Sequence, residues 1–184
     1  MKTFLLLLAL MLPYTASAAE CTGTDLLQVE GAVADARVIA AAAEKAVPTS
    51  AAGVDARYTL WFGPYDPTIA ANVKSVMSSV IGNLTIGTKT YRCLDQMQGD
   101  CSLGYDLFVV PENPNVVSFC PGFFSLGNMR HQASGIVHEF VHLSLQNPRT
   151  NPHPCDNPVS CKALAGKSDV WRSPYSYEYW VRDY

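Results

Sequence analysis

The chain is 184 residues long, with six cysteines and a formal net charge of −3. That length suits one domain with a core of its own and is short for two. The mild acidity, without a basic stripe, excludes nucleic acid and anionic membrane surfaces as partners.

Lys2, the apolar run over 3–12, Pro13 and the small residues Ala16, Ala18 and Ala19 form the pattern of a secretory signal peptide over residues 1–19. The run is too short to span a bilayer, and no later segment is longer. The expected product is a secreted, extracellular, soluble monomer with one domain over 20–184. Loss of Lys2 takes its formal charge from −3 to −4. All six cysteines, Cys21, Cys93, Cys101, Cys120, Cys155 and Cys161, lie in that domain. An even number in an oxidising compartment predicts three disulfides, and the spacings lack the paired C-x-x-C knuckles of a structural zinc site.

After Cys21, apolar residues recur at helical spacing from Leu26 through Val29, Val33, Ala36, Ile39 and Ala43 to Val47, which predicts a long buried helix ending before Pro48. "RYTLWFG" is rich in aromatic and β-branched residues and reads as a strand. Pro67 opens a second helix, with Ile69, Val73, Val76, Met77, Val80 and Ile81 on its stripe. Asn83-Leu84-Thr85 is a valid glycosylation sequon. "YRC", "GYDLFVV" and "VVSFC" read as short strands, with a proline turn over 111–115. The prolines at 148, 152 and 154 forbid regular helix between 147 and 157. A short helix carries "VSCKALAG", and Ser173 and Pro174 open an aromatic-rich last helix.

Between these elements stands "SGIVHEFVHLSLQ", residues 134–146. On a helix, His138 and His142 stand one above the other and aim two imidazoles at one point, with Glu139 about 100° round the axis. Zinc takes such nitrogens, and a carboxylate beside it can accept a proton from water. The surrounding Ile136, Val137, Phe140, Val141, Leu143 and Leu145 place the pair in a buried helix, where unpartnered imidazoles would be costly. One zinc ion per chain is therefore expected. The extended H-E-x-x-H-x-x-G-x-x-H pattern is absent, since Pro148 is the sixth residue after His142. Candidates for a third ligand are Asp156 and His153 on the following loop, with Asp169, Glu178 and Asp183 further along. Asp156 adjoins Cys155, where a disulfide would hold it; it could equally cap the helix that begins near Asn157 or Val159.

Across "YRCLDQ", "VVSFCPGFF", "GIVHEFVH", "CKALA" and "SYEYW" the chain resembles the aspzincin peptidases, the deuterolysin-like fungal secreted zinc proteases and the related peptidyl-lysine metalloendopeptidases. The resemblance implies an α+β, predominantly helical zincin-like domain with a small β-sheet, and a peptide or protein substrate. It implies that His138, His142 and Asp156 hold zinc while Glu139 serves as general base to a zinc-bound water. It also implies the pairings Cys21–Cys93 and Cys101–Cys120, which leave Cys155 with Cys161. The family carries its aspartate in G-T-x-D-x-x-Y. Here no Gly-Thr precedes Asp156, and Val159 stands where the family tyrosine would help stabilise the oxyanion. A tyrosine of the last helix is expected to replace it: Tyr177 is the assignment, with Tyr175 as the other choice. Two further readings remain: a secreted zinc-sequestering factor on the same scaffold, using both Asp156 and His153, and a disulfide-rich effector that binds through its tyrosine-rich tail. Glu139 separates them from the enzyme, because a proton acceptor serves hydrolysis.

Overall fold

A computed structural model describes residues 19–85, 87, 89–110, 112–145 and 154–184. His153, most of the expected signal peptide and most of the proline-rich loop lie outside the described residues.

The alanine-rich segment forms helix α1 (Gly23–Lys45) and buries Val29, Val33, Ala36, Ile39 and Ala43, the stripe its spacing requires. Helix α2 (Ala56–Phe62) replaces the strand expected of "RYTLWFG". Asp55 caps it, its carboxylate accepting from the Tyr58 N–H at 2.7 Å. Tyr58 and Phe62, four residues apart, bring their rings to 5.2 Å on the core side. A cap and a tertiary surface for the aromatic face outweigh the strand preference of its residues. Helix α3 (Pro67–Asn83) starts at the expected proline, capped by Asp66, and turns Ile69, Val73, Met77 and Val80 inward. The sequon begins at its last residue, with Asn83 half-buried, Leu84 buried and Thr85 exposed.

The sheet holds β1 (Ala19–Glu20), β2 (Thr90–Cys93), β3 (Leu107–Val110) and β4 (Asn113–Phe119), in the order β1-β2-β4-β3. β2 runs parallel to β4, and the outer strands are antiparallel to their neighbours. β4 is longer than "VVSFC" suggested and takes in Pro114, which precedes the residues paired with β2, the first of them Val116. β3 is thus a terminal strand of the sheet.

Helix α4 (Pro121–Ser125) leads to α5 (Met129–Leu145), followed by α6 (Pro158–Leu164) and α7 (Pro174–Val181). α5 runs through the middle, packed on α1, α3, α7 and β3. The domain is therefore mostly helical with a small sheet. Three disulfides join Cys21–Cys93, Cys101–Cys120 and Cys155–Cys161, the expected set. No helix among the described residues is long and apolar enough to cross a membrane.

Candidate metal centre and active site

Asn128 starts α5 by accepting from the Arg130 N–H at 2.9 Å, and Gln132 ties its first turn to the Phe123 carbonyl at 2.8 Å. The helix is thus fixed in register before it enters the core. Its histidines then follow as helical geometry demands. His138 and His142 are buried, and their Nε2 atoms lie 3.2 Å apart. Ligands about 2.0–2.1 Å from a tetrahedral zinc stand roughly 3.3 Å from one another, so the two nitrogens fit a single ion. Glu139 is buried beside them, and one ligand atom from each of the three residues falls within 4.8 Å of the others. Two imidazole nitrogens with a carboxylate at hand are a donor set that zinc accepts and that a hard oxygen-seeking cation would not choose.

β3 supplies the other wall. Gly135 eases the approach, since a Cβ there would stand 3.2 Å from Leu107 Cδ2 and the leucine end would have to shift slightly. At this approach the Val109 N–H donates to Glu139 Oε2 at 3.2 Å, which holds the carboxylate against the strand. A cleft of about 190 Å³ opens between β3, α5 and α7, lined in part by Tyr105, Asp106, His131 and Glu139. Asp106 reaches that wall over Gly122, where a Cβ would come within 2.1 Å of its Oδ1. Burial first, and the nearby Glu178 second, push the Asp106 carboxyl above its ordinary value.

From α7 the cleft receives Tyr175 and Glu178, and from its C-cap Arg182, spaced three and four apart on one helical face. Glu178 Oε2 accepts from His138 Nδ1 at 2.8 Å. Arg182 donates to the other oxygen of Glu178 and, through Nε, to Ser134 Oγ at 2.9 Å. The Tyr175 ring stands edge-on to His138 with centroids 4.4 Å apart. Burial, followed by the charge of Glu178, raises the Tyr175 phenol above its usual range, so it stays a neutral O–H donor.

The structure brings together His138, Glu139 and His142 and does not bring the other two expected residues to them. Tyr177 lies on the opposite face of α7, fully buried, with its hydroxyl donating to the Trp171 carbonyl at 2.8 Å and its ring against Phe62. Asp156 is exposed; its Oδ1 accepts from Asn157 Nδ2 at 2.7 Å and from Ser160 Oγ at 3.1 Å at the start of α6. The cap of α6 is Asn157, whose side chain accepts from the Val159 and Ser160 N–H groups, and Asp156 supports it from one residue before. Of the residues that line the cleft, sequence reading set Glu178 aside as distant and did not single out Arg182 or Asp106. The available signal was the Tyr175, Glu178, Arg182 spacing on the last helix, which shares one face only once the helix is known to dock beside α5.

A family model described as lysine-specific metallo-endopeptidase, of the aspzincin class, matches residues 47–170. A neutral protease 2 homolog of Pyricularia oryzae is 28% identical over 131 residues, covering 68% of this chain and 37% of that protein. A probable neutral protease 2 homolog of Arthroderma benhamiae is 30% identical over 131 residues, covering 67% of this chain and 34% of that one. The chain thus matches little more than a third of the length of these relatives. Among solved structures, a zinc peptidase from Grifola frondosa superimposes with a TM-score of 0.72 at 19% identity, covering 89% of this chain and 97% of that one. At that identity the likeness is one of fold.

Proposed function

Since the chain belongs to the aspzincin family of metallo-endopeptidases, we propose that it is a secreted, zinc-dependent endopeptidase acting on peptides or proteins. The observation that carries this reading is the convergence of the two Nε2 atoms at 3.2 Å beside the buried Glu139, with His138 and Glu139 lining an open cleft. His138 and His142 would hold the ion. Zinc, when bound, supplies a Lewis acid that polarises a carbonyl and lowers the pKa of water.

The chain's own residues do the rest. Glu139, held by the Val109 N–H, takes a proton from the attacking water and returns it to the departing amine, so no covalent acyl-enzyme is needed. Tyr175, neutral and at the rim of the His138 ring, donates a hydrogen bond where negative charge develops on the carbonyl oxygen.

Glu139→Gln is the test. The amide keeps the size and can still accept from Val109, but it cannot take a proton. The variant is expected to fold and bind zinc as the parent does, with chelator-sensitive cleavage of denatured casein and a mixed peptide library falling by about 10²–10⁴-fold. A zinc-loaded parent that cleaves nothing in a diverse library would reject the enzymatic reading. A variant that cuts as fast as its parent would reject the role of Glu139.

A further inference from the structure

Resting on the reading of His138 and His142 as zinc ligands, we infer that Glu178 is a positioning residue for the metal centre, and that Arg182 locks it in place. The argument is geometric. Glu178 Oε2 meets Nδ1 of His138, on the side of the ring away from the Nε2 that faces His142. A carboxylate there is not a ligand: it fixes the ring as the Nδ1–H tautomer, which leaves the Nε2 lone pair directed at the ion.

A single contact from an eight-residue helix would be a loose clamp, and Arg182 removes that looseness. Its guanidinium grips the second oxygen of Glu178 and, through Nε, Ser134 Oγ at 2.9 Å. Ser134 is buried and lies four residues before His138 on α5. The chain of contacts therefore leaves α5 at Ser134, crosses to α7 through Arg182 and Glu178, and returns to α5 at His138. The closed loop sets the carboxylate relative to the helix that carries the histidine. It also keeps a carboxylate that is largely shielded from water paired with a cation, which an unpaired one would not tolerate.

The experiment compares zinc affinity, by competition against a fluorescent chelator at neutral pH, in the parent, Glu178→Gln, Glu178→Leu, Arg182→Met and His142→Ala. The ring-nitrogen NMR of His138 in the metal-free proteins is read alongside. His142→Ala is expected to lose zinc. Glu178→Leu is expected to bind it about 10–100-fold more weakly, Glu178→Gln about tenfold, and Arg182→Met less. In the metal-free parent His138 is expected as the Nδ1–H tautomer, becoming a mixture in Glu178→Leu. Metal-free Glu178→Gln should still unfold in a single cooperative transition, because the amide fills the same space. If Glu178→Leu does not fold, the near-isosteric Gln variant decides. A parent that takes up zinc while both Glu178 variants bind it within twofold, with the tautomer unchanged, overturns the positioning role alone. A parent that takes up no zinc overturns the metal reading and this inference with it.

Discussion

Tyr175 and Tyr177 are two residues apart on one helix, and a helix turns by about 200° over two residues. They cannot both face the cleft. Tyr175 stands against His138 while Tyr177 is sealed beside Phe62, and substituting each by Phe should separate their roles. Tyr175→Phe removes a donor to the developing oxyanion and should lower kcat by about 10²-fold with KM little changed. Tyr177→Phe leaves the Trp171 carbonyl without its partner and should cost about 1–3 kcal/mol of stability in urea unfolding with kcat unaltered. The reverse pattern would return the catalytic assignment to Tyr177. Asp156 yields to the same logic: its carboxylate serves Asn157 and Ser160, so Asp156→Ala should leave one zinc per chain. Loss of metal in that variant would restore Asp156 as the third ligand.

At the scale of the element, α2 shows how packing decides a conformation. Its residues favour a strand individually, yet a helix lets Tyr58, Trp61 and Phe62 all be buried, while Leu60 stays at the surface. Phe62 meets Tyr177 and Trp180, each at 5.1 Å, which makes it the joint between α2 and α7. Phe62→Ala should cost about 3–5 kcal/mol, read from urea unfolding of the metal-free protein. A loss below 1 kcal/mol would mean that α2 is not part of the cooperative core. Since α7 carries Tyr175 and Glu178 on its other side, the same variant should also weaken zinc binding. α6 is fixed differently, by the reciprocal bonds between Asn157 and Ser160 at its start and by Cys155–Cys161 across it.

For the molecule as a whole, the tyrosines around α2 and α7 set an alkaline limit. Burial first pushes Tyr58 and Tyr184 up to about 12, helped by Asp66 and Asp55 respectively, and raises Tyr177 well above its ordinary value. Between pH of about 10 and about 12 an unfolded chain releases protons that the native one retains. Stability present below that window therefore falls as pH rises through it. Tyrosinate absorbance followed with circular dichroism should show the surface phenols ionising first and the remainder only as the helix signal is lost. Full reversible ionisation near pH 10 with the helices intact would contradict this. Cys21–Cys93, which closes a separation of 72 residues, ties α1 to the sheet and should be the costliest bridge to remove.

The sequence by itself determined the long amphipathic helices, the starts at Pro67 and Pro174, and the pairing of His138 with His142. Each depends on residues within a turn or two of one another, where spacing and caps act directly. It also indicated the family, and through it the disulfides. Only the tertiary structure decided that α2 is a helix, that Tyr175 and not Tyr177 faces the imidazoles, and that Glu178 reaches His138 across 40 residues of chain. Those outcomes depend on how α7 docks beside α5, and docking is set by burial summed over many distant side chains, which no local pattern encodes.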